Sequence, residues 1–468
     1  MSEQAFPASF GQQRLWFLDQ VTPGTTAYNL ARAIHLTGSL DPSALANALQ
    51  TIISRHESLR TIFISVEDDV RPVVQSALKF DLSVSDIGEL PVEQREEAAL
   101  RVSGEEAGKP FNLSTGPLLR AKLLRLGSEE HILVLVVHHI VADGWSLNLL
   151  FHEMGELYTG FIAGKQPQLP KLSLQYSDYS RWQRASVTGD YLAGELNYWK
   201  NKLQGAETVL QLPTDHPRPA AHSGRGKSIH FDLGHETNKS LKALARNENA
   251  TLFMALLSVF QVLLGRYTQQ DNILIGTPTA GRNDVELENL IGFFVNTLIL
   301  RADLDPDSSF RDVLRQARAT TLEALAHQDM PFEKLVEALA PDRSLNRNPL
   351  FQVMFILQNA PKLKVELPGL VMQEIEFESG IAKFDLTLEA IDLGNLHLTF
   401  EYDSDLYEES TIRRMAGHFT KLVESVVAAP DERLSKFSLL TEAEVQQLVE
   451  WNSTRSEYAR EMCVHTAF

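Results

Sequence analysis

The stretch HILVLVVHHIVADGWS, residues 131 to 146, constrains the fold more than any other part of the chain. A short, unbroken run of Ile, Leu and Val is how a strand buried on both faces looks. It leaves through an Asp-Gly turn, after which Leu147, Leu150, Met154, Leu157 and Phe161 keep a helical period up to Gly164. The spacing predicts a strand over 131–139 and a helix capped by Ser146. A covered strand followed at once by an amphipathic helix belongs to a layered α/β chain.

The same unit occurs earlier. Residues 28–37 read as a strand and Gly38 to Asp41 as a turn; Asp41 then caps a helix with Pro42 in its first position and Leu45, Leu49, Ile52 and Ile53 on its apolar face. Downstream, 251–267 reads as a long apolar helix, 272–278 as a strand and 309–327 as a further helix. Prolines at 167, 170, 213, 217 and 219 mark extended connections, which places a boundary near 170–180. Each half sets a long helix shortly before an apolar strand. That pattern allows two related α/β lobes, although no sequence repeat accompanies it.

Composition excludes some function classes. Lys and Arg number 43 against 61 Asp and Glu, a net charge of −18, so a broad basic footprint for nucleic acid or anionic lipid is absent. The single cysteine, Cys463, permits no intrachain disulfide and no Cys-rich metal site, which suits a reducing cytoplasm. The opening MSEQAFP lacks the pattern of a secretory signal, and the longest apolar runs fall short of a bilayer span, so no membrane association is expected.

The chemistry concentrates on residues 138 to 146. Successive strand side chains point to opposite faces, so His138 and His139 do not readily share a metal. One faces the interior and the other meets whatever lies over the sheet edge. A histidine near a strand end is most often structural. Here, however, Asp143 follows closely enough to organise the loop, Gly144 removes a Cβ where a ligand or backbone can approach, and a helix N-terminus aims free N–H groups at the same place. A neutral imidazole beside such donors suits acyl transfer to an amine or hydroxyl. No G-x-S-x-G elbow occurs and Cys463 sits in a polar tail, so a covalent acyl-enzyme is not expected. Gly226-Lys227-Ser228 is no phosphate loop, because Ala221 stands where its first glycine belongs. His56-Glu57 lacks the second histidine of a zinc protease.

With these residues in view, the chain resembles the condensation domains of nonribosomal peptide synthetases. The resemblance rests on SFGQQRLWFL (9–18), SRHESLRTIF (54–63), HHIVADGWS (138–146), YSDYSRW (176–182), IGFFVNTLILR (291–301), HQDMPFE (327–333) and RSLNRNPLFQ (343–352), in the family's order. It implies a fold of two chloramphenicol-acetyltransferase-like α/β lobes, in α+β layers, forming a V-shaped pseudo-dimer with a central tunnel. The lobes are expected over 1–175 and 176–449, with 450–468 a linker towards a following adenylation domain.

Carried over by motif, His139 matches the family's catalytic histidine and Gly144 brings its N–H near the reacting groups. His138 and Asp143 support the site, with Arg282 the first choice and Arg60 the second for the cation paired with Asp143. Trp145, Ser146, Asn296 and Asn348 are expected along the substrate tunnel. For Phe293, Phe294 and Asn296, core packing is an equal reading beside a tunnel floor. Trp16, Phe17 and Leu18 read as packing a helix against the core, Tyr176 and Trp182 as bracing the junction between lobes, and Phe332 as buried.

The activity implied is peptide-bond formation between a donor acyl or peptidyl thioester and an acceptor amine, both delivered on 4′-phosphopantetheine arms of carrier domains. The domain itself is expected to bind no cofactor and no metal, and to be monomeric as a fragment. The motifs look most like the type joining an L-configured donor to an L-configured acceptor. Starter domains that acylate the first amino acid, and variants that epimerise or dehydrate the bound residue, share the signature. So does a silent docking platform, although platforms usually lose the histidine kept here as His139.

Overall fold

The computed structural model describes residues 4–67, 69–220, 223–339, 346–358, 367–375, 377 and 380–454. It contains a five-stranded and a six-stranded mixed sheet and a small three-stranded sheet. Beside the five-stranded sheet, residues 8–158 form one apolar core with Ile291, Leu367 and Leu370; residues 199–437 form the second.

The strand expected at 131–139 is Glu130–His138, flanked by Asn29–Gly38 and Leu119–Arg125, both antiparallel to it. Leu133, Leu135 and Val137 lose all contact with water, as an apolar run covered on both faces requires. The helix Pro42–Arg55 begins as expected, with the Asp41 carboxylate accepting from the N–H groups of Ser43 and Ala44. It packs against Gly144–Ile162. In that second helix the cap is Asp143 rather than Ser146. Both residue types cap well, but the chain enters helical geometry at Gly144, so Ser146 lies inside the first turn and its N–H donates to Asp143 at 2.8 Å.

In the second half, the expected helices and strand are Leu252–Thr268, Asn272–Thr279 and Phe310–Ala326. The six-stranded sheet runs in the order Asn296–Asp303, Asn272–Thr279, Val353–Gln358, Leu386–Asp392, Leu396–Asp403 and Gly226–Leu233. Its Leu396–Asp403 strand alternates strictly, with Leu396, Leu398, Phe400 and Tyr402 turned into the helical core and the residues between them on the other face. No single described helix is long and apolar enough to cross a membrane.

A segment of the second half joins the first sheet. Leu370–Ile375 leaves the second half and pairs along Ala33–Gly38 as an edge strand of the first sheet. A third cluster, Phe6, Val74, Tyr176, Tyr179, Leu287, Leu290 and Phe294, mixes residues from both sides of the 175/176 division. Tyr176 is buried there, its hydroxyl 2.9 Å from Ser9 Oγ and donating to the Phe293 carbonyl at 2.7 Å. Trp182, by contrast, is 54% exposed, and its ring lies against that of Tyr179, with centroids 5.9 Å apart. Phe17 is also exposed, while Trp16 and Leu18 pack on the first core. Phe332 is buried in the second. Cys463 and most of the 450–468 segment lie outside the described residues, as do the first three residues of RSLNRNPLFQ.

Candidate active site

The buried strand ends at His138, and His139 opens a single 3-10 turn, His139–Val141. His139 is therefore not on the strand. The bend arises because His138 Nδ1 accepts the Ile140 N–H at 3.1 Å, closing a side-chain turn where the ladder stops. The two rings then face different neighbours. His138 lies edge-on to Phe111, with centroids 5.9 Å apart, and His139 lies edge-on to Phe293, 5.0 Å apart.

The backbone and ring of His139 are both tied. Its N–H donates to the Tyr28 carbonyl at 2.8 Å. Its Nδ1 is 2.9 Å from the Ala142 carbonyl, and since a carbonyl only accepts, Nδ1 carries the proton. In the neutral ring Nε2 is then the bare, accepting nitrogen. Burial, followed by the positive charge of Lys383, pushes the pKa of His139 down to about 3, and the same two causes with Arg120 bring His138 to about 3. Near pH 7 both imidazoles are neutral.

Asp143 makes the ion pair with Arg282, at 3.2 Å between Oδ1 and Nη2. It also accepts from the N–H groups of Ser146, at 2.8 Å, and Phe294, at 3.0 Å. Arg282 spends further donors on Ser146 Oγ and the Leu290 carbonyl and stacks its guanidinium 4.0 Å from the Phe294 ring centre. The second choice, Arg60, is a correction: it donates to the Gln75 carbonyl and stands 3.9 Å from Glu57, with no bond to Asp143.

Three residues expected on the substrate path make hydrogen bonds within the fold. Ser146 is fully buried, with Oγ bridging Asp143, Arg282 and the Gly292 backbone. Asn296 clamps the HQDMPFE segment, donating to the Gln328 and Met330 carbonyls and accepting from the Phe332 N–H. Asn348 donates to the Lys383 carbonyl at 2.8 Å. Their amides and hydroxyl fasten backbone, which is what short polar side chains do where two chain segments meet. Trp145 is partly exposed and donates its indole N–H to the Glu288 carbonyl at 2.9 Å. Gly144 is exposed, and a Cβ on it would meet no atom within 4 Å. Its N–H lies in the first helical turn, where no intrahelical carbonyl is available to it.

Other contributors lie outside the residues that the sequence singles out for the site. Gln12, buried in the first turn of Phe10–Val21, donates to the Ile140 carbonyl at 3.2 Å and so holds the His139 turn from outside. Gly11 leaves room for Phe293, whose Cε1 would stand 2.7 Å from an added Cβ. Lys383 is the charge that both histidines sense, and Glu401, the charge that senses Lys383, has its pKa raised by burial to about 7. Only the order of residues around Gln12, in GQQRLWFL, marked its segment beforehand.

A neutral, anchored imidazole with a bare Nε2 beside an exposed helix N-terminus is suited to accepting a hydrogen bond from a nucleophile and presenting backbone donors to a developing oxyanion. An imidazole whose conjugate acid has a pKa of about 3 holds a proton poorly. It orients a nucleophile better than it strips one.

Comparison with known proteins identifies the family. The condensation domain model matches residues 2–449. The chain is 47% identical over 467 residues to a linear gramicidin synthase of Brevibacillus parabrevis, covering 99% of this chain and 9% of that protein. It is 40% identical over 451 residues to phosphinothricin tripeptide synthetase PhsC of Streptomyces viridochromogenes, covering 96% of this chain and 41% of that one. The chain thus spans well under two thirds of these relatives. Among solved structures, the X-domain from teicoplanin biosynthesis superposes with a TM-score of 0.86 at 27% identity, covering 94% of this chain and 99% of that one. The chain belongs to the condensation domain family of nonribosomal peptide synthetases.

Proposed function

We propose that the chain forms a peptide bond between an L-configured donor and an L-configured acceptor, each held as a thioester on the phosphopantetheine arm of a carrier domain. The acceptor's amine nitrogen attacks the donor's thioester carbon. The C–N bond forms, the C–S bond breaks, and the amine proton ends on the departing sulfur as the free thiol of the donor arm. His139 Nε2 accepts a hydrogen bond from the amine and aligns it, and the Gly144 N–H faces the carbonyl oxygen as it gains charge. Asp143 and Arg282 hold the loop that carries both.

The observation that carries this reading is the His139 ring: neutral, fixed by the Ala142 carbonyl, and left with an accepting nitrogen. Under it the lobes are residues 1–175 and 176–449, the partners are two carrier domains and an adenylation domain further along the same polypeptide, and the setting is the cytoplasm. Starter-type N-acylation is the second reading, since a donor taken as acyl-CoA would use the same Nε2.

The test offers the chain an aminoacyl acceptor carrier with an L-donor carrier, a D-donor carrier or an acyl-CoA. A dipeptide from the L-donor alone supports the proposal. Product from acyl-CoA supports the starter reading, an inverted α-carbon an epimerising one, and no product from any donor a docking platform.

A further inference from the structure

Lys383 enters the site from the second half of the chain, three residues before the strand Leu386–Asp392. Its backbone is held from two sides. The Asn348 amide donates to its carbonyl at 2.8 Å, and the neighbouring Ala382 N–H donates to the Gly224 carbonyl at 2.9 Å. The side chain then reaches into the first half, with Nζ 5.8 Å from the centre of the Tyr28 ring. Tyr28 is the residue whose carbonyl fixes the His139 backbone.

Among the described residues no carboxylate lies within 4.0 Å of this partly buried ammonium. Glu401 influences it from further off and is itself opposed by Glu389. A cation kept partly from water without a close counter-ion weakens a fold. Arg282, by comparison, is paired closely: its two terminal nitrogens donate to Asp143, Ser146 and the Leu290 carbonyl.

We propose that Lys383 is a positioning residue of the reaction centre: its ammonium, carried across to Tyr28, keeps the space before His139 at a positive potential in which a neutral imidazole and a neutral amine are the favoured forms. The amine half of this statement rests on the peptide-bond reading above; the imidazole half does not. The charges around the centre agree. The groups acting on His139 are Lys383 and His138, and those on His138 are Lys383 and Arg120; no carboxylate is among them. Tyr28 senses Arg14. A nearby cation disfavours a second positive charge, which keeps an attacking amine in its nucleophilic form, as it does for lysine nucleophiles beside another cation.

Long-range 1H–15N spectra of the whole chain labelled in histidine test this without substrate. In the wild type and in Lys383→Arg, His139 stays neutral from pH 8 down to pH 4. In Lys383→Met and Lys383→Gln its titration moves upward by about one pH unit or more, so that it takes up a proton as pH falls to 4, with His138 following in the same direction. A His139 signal in both neutral variants that titrates as in wild type overturns the proposal. With loaded carriers, the ratio of amide-forming rates at pH 6 and pH 8 falls about tenfold in Lys383→Met and stays at the wild-type value in Lys383→Arg; an unchanged ratio in Lys383→Met overturns the amine half. If the wild type forms no amide at all, the peptide-bond reading fails, while the spectra still decide whether Lys383 sets the state of His139.

Discussion

Asp143 and Arg282 form an ion pair sealed from water, with 0% and 1% of their side chains exposed and 3.2 Å between Oδ1 and Nη2. It joins the start of the helix Gly144–Ile162 to the segment that follows Asn272–Thr279, and so fastens the histidine turn to the other half of the chain. Removing one partner of such a pair strands the other charge and costs about 3–5 kcal/mol. Asp143→Asn and Arg282→Met should each lower the melting temperature by several degrees, and Asp143→Asn/Arg282→Met should recover part of the loss. Melting curves that coincide with the wild type would contradict the structural role given to the pair.

His138 should make stability depend on acidity. Its folded pKa of about 3 lies below its ordinary value of 6.5, so the unfolded chain takes up a proton that the folded one refuses. The stability His138 confers is therefore complete above pH 6.5 and is lost as pH falls towards 3, at about 1.4 kcal/mol per pH unit. His138→Asn keeps an acceptor for the Ile140 N–H and removes the titration. Urea unfolding between pH 6 and pH 4 should show a shallower decline for this variant; an unchanged slope would mean that His138 is protonated in the fold.

Two glycines separate packing from chemistry. Gly292→Ala would put a Cβ 2.0 Å from Tyr176 Cδ2, a buried ring fixed by hydrogen bonds at its hydroxyl, and overpacking there should cost about 1–3 kcal/mol. Gly144→Ala meets open space and replaces a glycine within a helix, so its melting temperature should equal or exceed that of the wild type. If the reacting carbonyl approaches the Gly144 N–H, this same variant should slow amide formation at least tenfold. Full activity with full stability would place the substrate elsewhere.

Local patterns make the secondary structure around the site readable from the sequence. The run HILVLVVHH and the apolar spacing from Leu147 to Phe161 each define an element whose core face is set by its own residues. Opposed directions for His138 and His139 followed from strand alternation, although the structure achieves them with a 3-10 turn. Asp143 and Ser146 are equally good caps by residue type, so only the backbone angles separate them. Non-local pairing was out of reach. Nothing near Leu370–Ile375 states that it will join Ala33–Gly38, and nothing near Lys383 states that its ammonium will lie over Tyr28. Nothing in the local sequence of Ser146, Asn296 and Asn348 states that their polar atoms join distant segments, to the Gly292, Gln328 and Lys383 carbonyls.

The central claim is that His139 aligns the amine for attack on the donor thioester. Its most direct test is a single-turnover comparison of wild type and His139→Ala with preloaded donor and acceptor carriers, reading the dipeptidyl thioester on the acceptor carrier by intact-protein mass. Wild type should convert the acceptor. His139→Ala should be slower by about 10²-fold or more, the cost of a misplaced nucleophile, while the chain still folds, because the lost ring makes only the Ala142 hydrogen bond and the edge contact with Phe293. Equal rates in the two proteins would contradict the account.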